Sequence, residues 1–347
     1  MNLYPPIRRL LFLFDPERVH HITLRLLGIA EILPPVRKLL RTLFSTSSYD
    51  LPVHILGLKF PNPVGLAAGY DKDGVGMHGL ACLGFGHLEL GTVTPEPQIG
   101  NPRPRIFRLS EDQALINRMG FPNLGAERLR RRLIKERPEG VVLGVNIGKG
   151  VDTPLERAEC DYISLMRSFY TLADYLAVNV SSPNTIGLRR LQARDHLEKL
   201  LSSLMQEKGV LHYKTDRDIP VLVKLAPDLS EEELRDAIQV ICEAGLDGVI
   251  ATNTTLSRKG LRSPAQTEEG GLSGQPLHRL ALDRVAKISR LTDGRLPIIG
   301  VGGIYGPDEA KAFLDVGASL IQLYTGLIYQ GPGIVKRILE GLHHSGS

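Results

Sequence analysis

The chain has 347 residues, 42% of them hydrophobic and 23% charged, which excludes a disordered polymer and leaves material for one large core. Its three cysteines, Cys82, Cys160 and Cys242, are widely spaced, with no CxxC and no Cys–His pattern, so neither a disulfide framework nor a metal site is expected. The formal net charge of +4 sits wholly in residues 1–44, where seven basic side chains face three acidic ones; a nucleic-acid-binding protein would spread a basic patch over its main domain.

Those first 44 residues read as two short helices. Asp15-Pro16-Glu17 is a helix start, with Asp as N-cap, Pro at the first helical position and Glu in the first turn. Val19, Ile22, Leu26 and Ile29 then recur on one face. Pro34-Pro35 breaks the chain, and Val36, Leu39, Leu40 and Leu43 alternate with Arg37, Lys38 and Arg41 in a second helix. Two readings are open for a basic, amphipathic pair of this kind: it lies on an anionic membrane surface, or it packs on the main domain. No apolar run is long enough to span a bilayer. Leu10–Phe14 is too short for a signal peptide core and has no small-residue cleavage site after it.

From residue 51 the texture changes. Val53–Phe60 predicts a hairpin. Eight short apolar runs then predict strands at Val64–Ala67, His87–Leu90, Val141–Asn146, Tyr175–Val180, Val221–Leu225, Gly248–Thr252, Ile298–Gly300 and Leu320–Tyr324. Helical patterns lie between them at about 74–83, 124–137, 154–168, 196–208, 230–244, 277–291 and 307–316, with a last one after Gly333. Ser230 with Glu233 forms a capping box. Eight strands alternating with eight helices predict a (β/α)8 TIM barrel, with a doubly wound sheet as competitor. The expected division is an N-terminal helical segment, 1–44, and a barrel, 45–347, whose bottom the hairpin closes.

In such a barrel, function collects where the strands end. The predicted ends carry Ala68-Gly69-Tyr70-Asp71-Lys72, Thr92, Asn146, Asn179 through Asn184, Lys224, Thr252-Asn253-Thr254, Gly300–Gly303 and Tyr324-Thr325. Glycines at the seventh and eighth ends expose backbone N–H groups and suit a phosphate. A buried, unpaired ammonium is costly, so Lys72 and Lys224 should face an anion or an electron-rich ring. They are candidates for a Schiff base, or for a charge that stabilises a reduced flavin. The amides of Asn117, Asn146, Asn179, Asn184 and Asn253 suit a planar amide ligand. Ser182 has no neighbouring histidine in sequence and no nucleophile elbow, which leaves a hydrolase triad unsupported.

At these residues the sequence resembles the quinone-dependent, class 2 branch of the dihydroorotate dehydrogenases. The resemblance rests on Gly65–Gly74, Gly91–Pro95, Asn101–Arg105, Asn117–Phe121, Asn179–Asn184, Gly270–Gly274 and Gly300–Ile304, and extends to the Asp15-Pro16-Glu17 helix. Ile186 departs from it, standing where the family usually has Pro. The resemblance implies that FMN contacts Ala68, Gly69, Tyr70, Asp71, Lys72, Thr92, Asn146, Asn179, Lys224, Thr252, Gly274, Gly303, Tyr324 and Thr325. It implies that dihydroorotate contacts Lys72, Asn117, Arg118, Met119, Gly120, Phe121, Asn179, Asn184, Asn253 and Thr254. By the resemblance Ser182 would be the base that deprotonates C5 while C6 gives a hydride to the flavin and orotate forms; because a hydroxyl is a weak base, we add the expectation of a relay through water and Thr254. The related soluble class has cysteine at this position. His20 and Arg108 resemble positions that meet the head group of ubiquinone or menaquinone. The resemblance and the short N-terminus together suggest a monomer lying peripherally on the cytoplasmic face of a bacterial inner membrane, serving de novo pyrimidine synthesis. The competing readings are an NAD- or fumarate-linked oxidation, a phosphate-binding barrel lyase with a Schiff-base lysine, and a non-catalytic peripheral membrane protein.

Overall fold

The computed structural model describes residues 4–45 and 51–345. The strands, in chain order, are β1 (Val53–Ile55), β2 (Leu58–Phe60), β3 (Val64–Leu66), β4 (His87–Val93), β5 (Ile106–Leu109), β6 (Ala114–Asn117), β7 (Val142–Ile147), β8 (Tyr175–Asn179), β9 (Val221–Leu225), β10 (Gly248–Ala251), β11 (Gly271–Gly274), β12 (Ile298–Val301) and β13 (Leu320–Leu323). Eight of them, β3, β4, β7, β8, β9, β10, β12 and β13, pair in parallel and close into a barrel. Every residue of these eight is buried. That double-sided burial is why each read as a nearly continuous apolar run.

Large side chains cross the barrel interior where a glycine makes room. A Cβ on Gly65 would stand 2.1 Å from the His87 ring, and one on Gly144 the same distance from the Tyr175 ring. Below them, the β1–β2 hairpin packs Val53, Ile55, Leu56 and Leu58 against Phe60, Val142, Tyr175, Leu222 and Leu320. The barrel floor is therefore solid core, and a cavity can open only at the other end. Outside the strands lie α4 (Met77–Ala81), α5 (Ala126–Lys135), α6 (Ala158–Phe169), α7 (Arg194–Thr215), α8 (Glu231–Glu243), α9 (His278–Leu291), α10 (Pro307–Asp315), α11 (Thr325–Gln330) and α12 (Ile334–Ser345). The Ser230–Glu233 capping box is present in full at the start of α8.

Two features differ from the sequence expectation. The N-terminal segment holds three helices, α1 (Tyr4–Leu11), α2 (Pro16–Ile32) and α3 (Pro34–Phe44). Asp15 caps α2 as expected, its Oδ1 accepting the N–H of Arg18 at 2.9 Å. The apolar face, whose direction two readings left open, turns outward at Ile22, Leu26 and Ile29, which are exposed, while Leu24 and Ala30 are buried and Leu24 and Leu27 pack beside Gly76 and Gly79 at the start of α4. The second feature is an antiparallel sheet in the order β11-β6-β5, which joins the loop after β4 to the loop after β10. It forms a wall over the barrel mouth.

Candidate active site

A cavity with about 940 Å³ of empty space opens at the C-terminal ends of the barrel strands. All eight strand ends contribute to its surroundings except that of β7, whose Asn146 lies just beneath it. Of the residues singled out in the sequence, Ala68, Gly69, Lys72, Thr92, Asn117, Met119, Gly120, Phe121, Asn179, Ser182, Asn184, Lys224, Thr252, Asn253, Thr254, Gly274, Gly303, Tyr324 and Thr325 line it.

Four others do not. Tyr70 faces a second cavity. Asp71 turns inward, where Oδ1 and Oδ2 accept the N–H groups of Val75 and Gly76 at 2.8 and 2.7 Å; burial still raises its carboxyl to about 6. The side chain of Arg118 turns outward to Glu268, 2.6 Å away, and lies over the Phe107 ring. Asn146 is wholly buried and acts from below: its Oδ1 accepts from the Thr92 hydroxyl and from Asn179 Nδ2 at 3.1 Å, and its Nδ2 donates to Glu89 at 2.8 Å.

The amides are locked to one another. Asn179 Nδ2 donates to Thr92 Oγ1 at 2.9 Å, Asn253 Nδ2 to Ser181 Oγ at 3.0 Å, and Asn184 Nδ2 to Asn117 Oδ1 at 3.1 Å. These bonds fix which edge of each amide is free for a ligand. Ser182 is buried, and its Oγ accepts the N–H of Asn184 at 3.3 Å. Phe121 holds φ of 52°, a conformation that costs a bulky residue energy and tends to persist where the surroundings impose it.

The electrostatics are those of a cationic pocket. Burial lowers the Lys72 ammonium to about 8, and its Nζ donates to the Gly69 carbonyl at 2.7 Å. Burial also lowers Lys224, against the opposing pull of Glu89. No carboxylate forms an ion pair with either lysine among the described residues. Glu89 and Gln322 were not foreseen. Glu89 is a buried carboxylate beneath the floor, accepting from Asn146, from the Tyr175 hydroxyl at 3.1 Å and from Gln322 Nε2 at 2.8 Å. Gln322 lines the cavity, and its Oε1 is buried without a partner.

A second, largely apolar cavity adjoins the first, with about 1220 Å³ of empty space. Its walls come from α1, α2, α3, β5, β6, α11 and the loops after α1, β3 and β13, and include Tyr4, Phe12, Val19, His20, Tyr70 and Arg108. Tyr324 lines both cavities. His20 is held neutral, with burial lowering its ring to about 3. Arg108 lies over the Phe12 ring and donates to the Phe14 carbonyl at 2.7 Å. The two residues linked in sequence to a quinone head group thus line one space.

The dihydroorotate dehydrogenase family model matches residues 50–345. The chain belongs to the dihydroorotate dehydrogenase family. It is 48% identical over 341 residues to "Dihydroorotate dehydrogenase (quinone)" of Roseiflexus sp. (strain RS-1), spanning 98% of this chain and 93% of that protein. The protein of the same name in Cellvibrio japonicus is 45% identical over 347 residues, spanning 99% of this chain and 100% of the relative. The crystal structure of DHODH from Eimeria tenella in complex with ferulenol superposes with a TM-score of 0.86 at 40% identity, covering 94% of this chain and 90% of that one. The ligand-free crystal form of that protein gives the same TM-score and covers 94% of each chain. The Schiff-base lyase reading finds no support among these relatives, whose names are those of dehydrogenases.

Membership of this family implies a flavin, and the residues present fit one. A flat ring with several acceptor and donor edges would meet the unpaired Lys224 ammonium and the unpartnered Gln322 Oε1. Its anionic tail would meet the turn at Gly302 and Gly303, where φ is 144° and 65°. A Cβ on Gly303 would stand 2.7 Å from His278 Cβ and 2.9 Å from the Gly274 carbonyl oxygen, so only glycine leaves this backbone open to a ligand.

Proposed function

We propose that the protein oxidises dihydroorotate to orotate with FMN as its cofactor and a membrane quinone as the final electron acceptor. One observation carries this reading: a cationic, amide-lined cavity and an apolar cavity share the wall formed by Tyr324. FMN would be held by Ala68, Gly69, Thr92, Lys224, Thr252, Gly274, Gly303 and Thr325, and when bound it supplies the hydride acceptor and passes the electrons on.

The other steps belong to this chain. Lys72 would pair with the substrate carboxylate. Asn117, Asn179, Asn184 and Asn253 would hold the ring amides, their orientations already set by the bonds among them. Ser182 Oγ would take the C5 proton, its own proton leaving to water past Thr254. A hydroxyl is a weak base, so it depends on placement and on a dry site; its near-complete burial supports both.

The N-terminal segment, residues 1–44, would rest on lipid and admit the quinone. No helix among the described residues is long and apolar enough to cross a membrane. Instead Leu10, Leu13, Phe14, Ile22, Leu26 and Ile32 are exposed beside Arg9, Arg18, Arg25, Lys38 and Arg41, the mixture an interfacial segment presents to anionic lipid.

Anaerobic titration of the purified protein with dihydroorotate, followed at the flavin absorbance, tests the first half of this reading. Bleaching with one equivalent, then recovery on adding a short-chain quinone, is expected. A colourless protein that cannot be reconstituted with FMN would overturn it. Ser182→Ala should retain the flavin and reduce it on the order of a hundredfold more slowly or worse; an unchanged rate would remove Ser182 from the chemistry.

A further inference from the structure

Three consecutive loops at the barrel mouth converge on one guanidinium. Arg189 lies in the short 3-10 turn Leu188–Gln192, just after the Ser182 loop. Its Nε donates to the carbonyl of Ser181 at 3.1 Å, its Nη2 to the carbonyl of Thr254 at 2.9 Å, and its Nη1 to Asp228 Oδ2 at 2.7 Å. The peptide that leads into Ser182 is thereby tied to the loops after β9 and β10. Both ends of the tie are themselves fixed. Asp228 accepts from the Thr255 hydroxyl and from the Leu256 N–H at 3.1 Å. The arginine's own carbonyl accepts from Gln192 Nε2 at 3.4 Å, and Gln192 Oε1 accepts the N–H of Ala226 at 2.9 Å. Arg189 does not line the cavity. Its side chain is 21% exposed and that of Asp228 24%, so the pair is partly withdrawn from the screening that weakens surface ion pairs.

We propose that Arg189 is the positioning residue for Ser182. The proposal rests on the reading of Ser182 as the base. The planar fork sets the separation between the Ser182 loop and the Thr254 side of the cavity, because one rigid group reaches both carbonyls and the carboxylate at once. A lysine supplies a point charge without that fork. The substrate's ring sits between these two loops in the proposed function, so a change in their spacing moves the base off the C5 proton without removing any group that binds the substrate.

The test uses the flavin-loaded protein and its Arg189→Met and Arg189→Lys variants. Anaerobic stopped-flow gives the maximal rate of flavin reduction by dihydroorotate, and a separate titration gives the orotate dissociation constant. The maximal rate is expected to fall on the order of a hundredfold in Arg189→Met, the cost of a displacement near 1 Å at a reacting centre, and Lys should recover little of it. Orotate affinity and flavin content should stay near those of the parent. A lysine variant at full rate, or a loss confined to orotate affinity, would overturn the proposal. Should the Arg189 variants fail to fold, Asp228→Asn decides: it loosens the fork in place, and an unchanged maximal rate there would overturn the proposal too. Ser182→Ala separates the two claims. If it reduces flavin at the parent rate, the base reading itself falls. If it is slow while the Arg189 variants are fast, only the positioning role falls.

Discussion

The rings of Tyr70 and Tyr324 meet edge to face with their centroids 5.7 Å apart, at the wall shared by the two cavities. Tyr70 in turn meets the edge of His20, 4.9 Å away. A continuous row of rings therefore runs from the wall of the first cavity to helix α2. Burial raises the Tyr324 phenol to about 12 and the Tyr70 phenol higher still, and keeps His20 neutral, so the row carries no net charge at neutral pH. None of these three rings therefore sets a desolvated ion beside an apolar quinone approaching the cofactor.

Filling the second cavity should separate the two half-reactions. Val19 lines that cavity and not the first. Val19→Trp is expected to leave dihydroorotate-driven flavin bleaching at its normal rate. Reoxidation by a long-chain quinone should slow by about tenfold or more, equivalent to about 1.4 kcal/mol or more in the barrier. Stopped-flow records of each half-reaction check this, and equal slowing of both would contradict the assignment of the cavity to the quinone.

Lys72 predicts a pH limit on substrate affinity. Its ammonium titrates near 8 in the free protein because burial penalises the charge. A bound carboxylate favours the charged form and raises that value. Affinity for orotate should therefore be flat below about pH 8 and weaken by up to tenfold per unit above it. Lys72→Met should bind orotate weakly with no such inflection. The measurement is orotate binding by absorbance on either side of pH 8.

The N-terminal helices are tied to the barrel by a buried ion pair. Glu17 accepts from Arg105 Nη2 at 2.7 Å and from Arg103 Nη2 at 2.9 Å, and the Glu17 and Arg105 side chains are each only 6% exposed. Burial alone would raise the Glu17 carboxyl, but the hydrogen bonds from Arg105 and Arg103 outweigh it and hold the group at about 2. Since the folded value lies below the ordinary 4.5, the stabilisation is complete above about pH 4.5 and is lost as pH falls toward 2. Glu17→Gln leaves the Arg105 charge uncompensated and should cost about 3–5 kcal/mol. It should also flatten the acid side of the stability curve, read by denaturant melts at several pH values.

How much of this was legible in the sequence depended on the range of the interaction. The eight barrel strands could be found because burial on both faces leaves an apolar run that needs no partner to be seen. Sheet β11-β6-β5 could not, because Gly271–Gly274 reads as a turn and gains its strand conformation only by pairing with Ala114–Asn117 more than 150 residues earlier in the chain. The strand-end residues Lys72, Asn179, Ser182 and Lys224 were visible by position. Glu89, Arg189 and Gln322 were not, since each acts through partners on other strands or loops. The direction of the apolar face of α2 stayed open between lipid and the main domain because periodicity gives the face and not its direction. Ile22 and Leu26 turn outward, and small, tight contacts at Gly76 and Gly79 take the inner side.

The glycine turn after β12 sets where the cofactor's phosphate would be held. Gly303 holds φ of 65° with His278 and Gly274 in close contact, whereas Gly294, before the same strand, holds φ of 68° with open space around it. Alanine at either site incurs about 1–2 kcal/mol of left-handed strain, so the two variants should lose similar amounts of stability from that cause. Only Gly303→Ala also drives a methyl group into His278 and the Gly274 carbonyl, displacing the backbone turn that would meet the cofactor's phosphate. It should lose flavin on dialysis, read as the ratio of flavin absorbance to protein, while Gly294→Ala keeps its full complement. If both variants retained flavin equally, the turn at Gly302 and Gly303 would not be the phosphate cradle, and the phosphate would have to be sought at Thr325 and the other donors near Gly274.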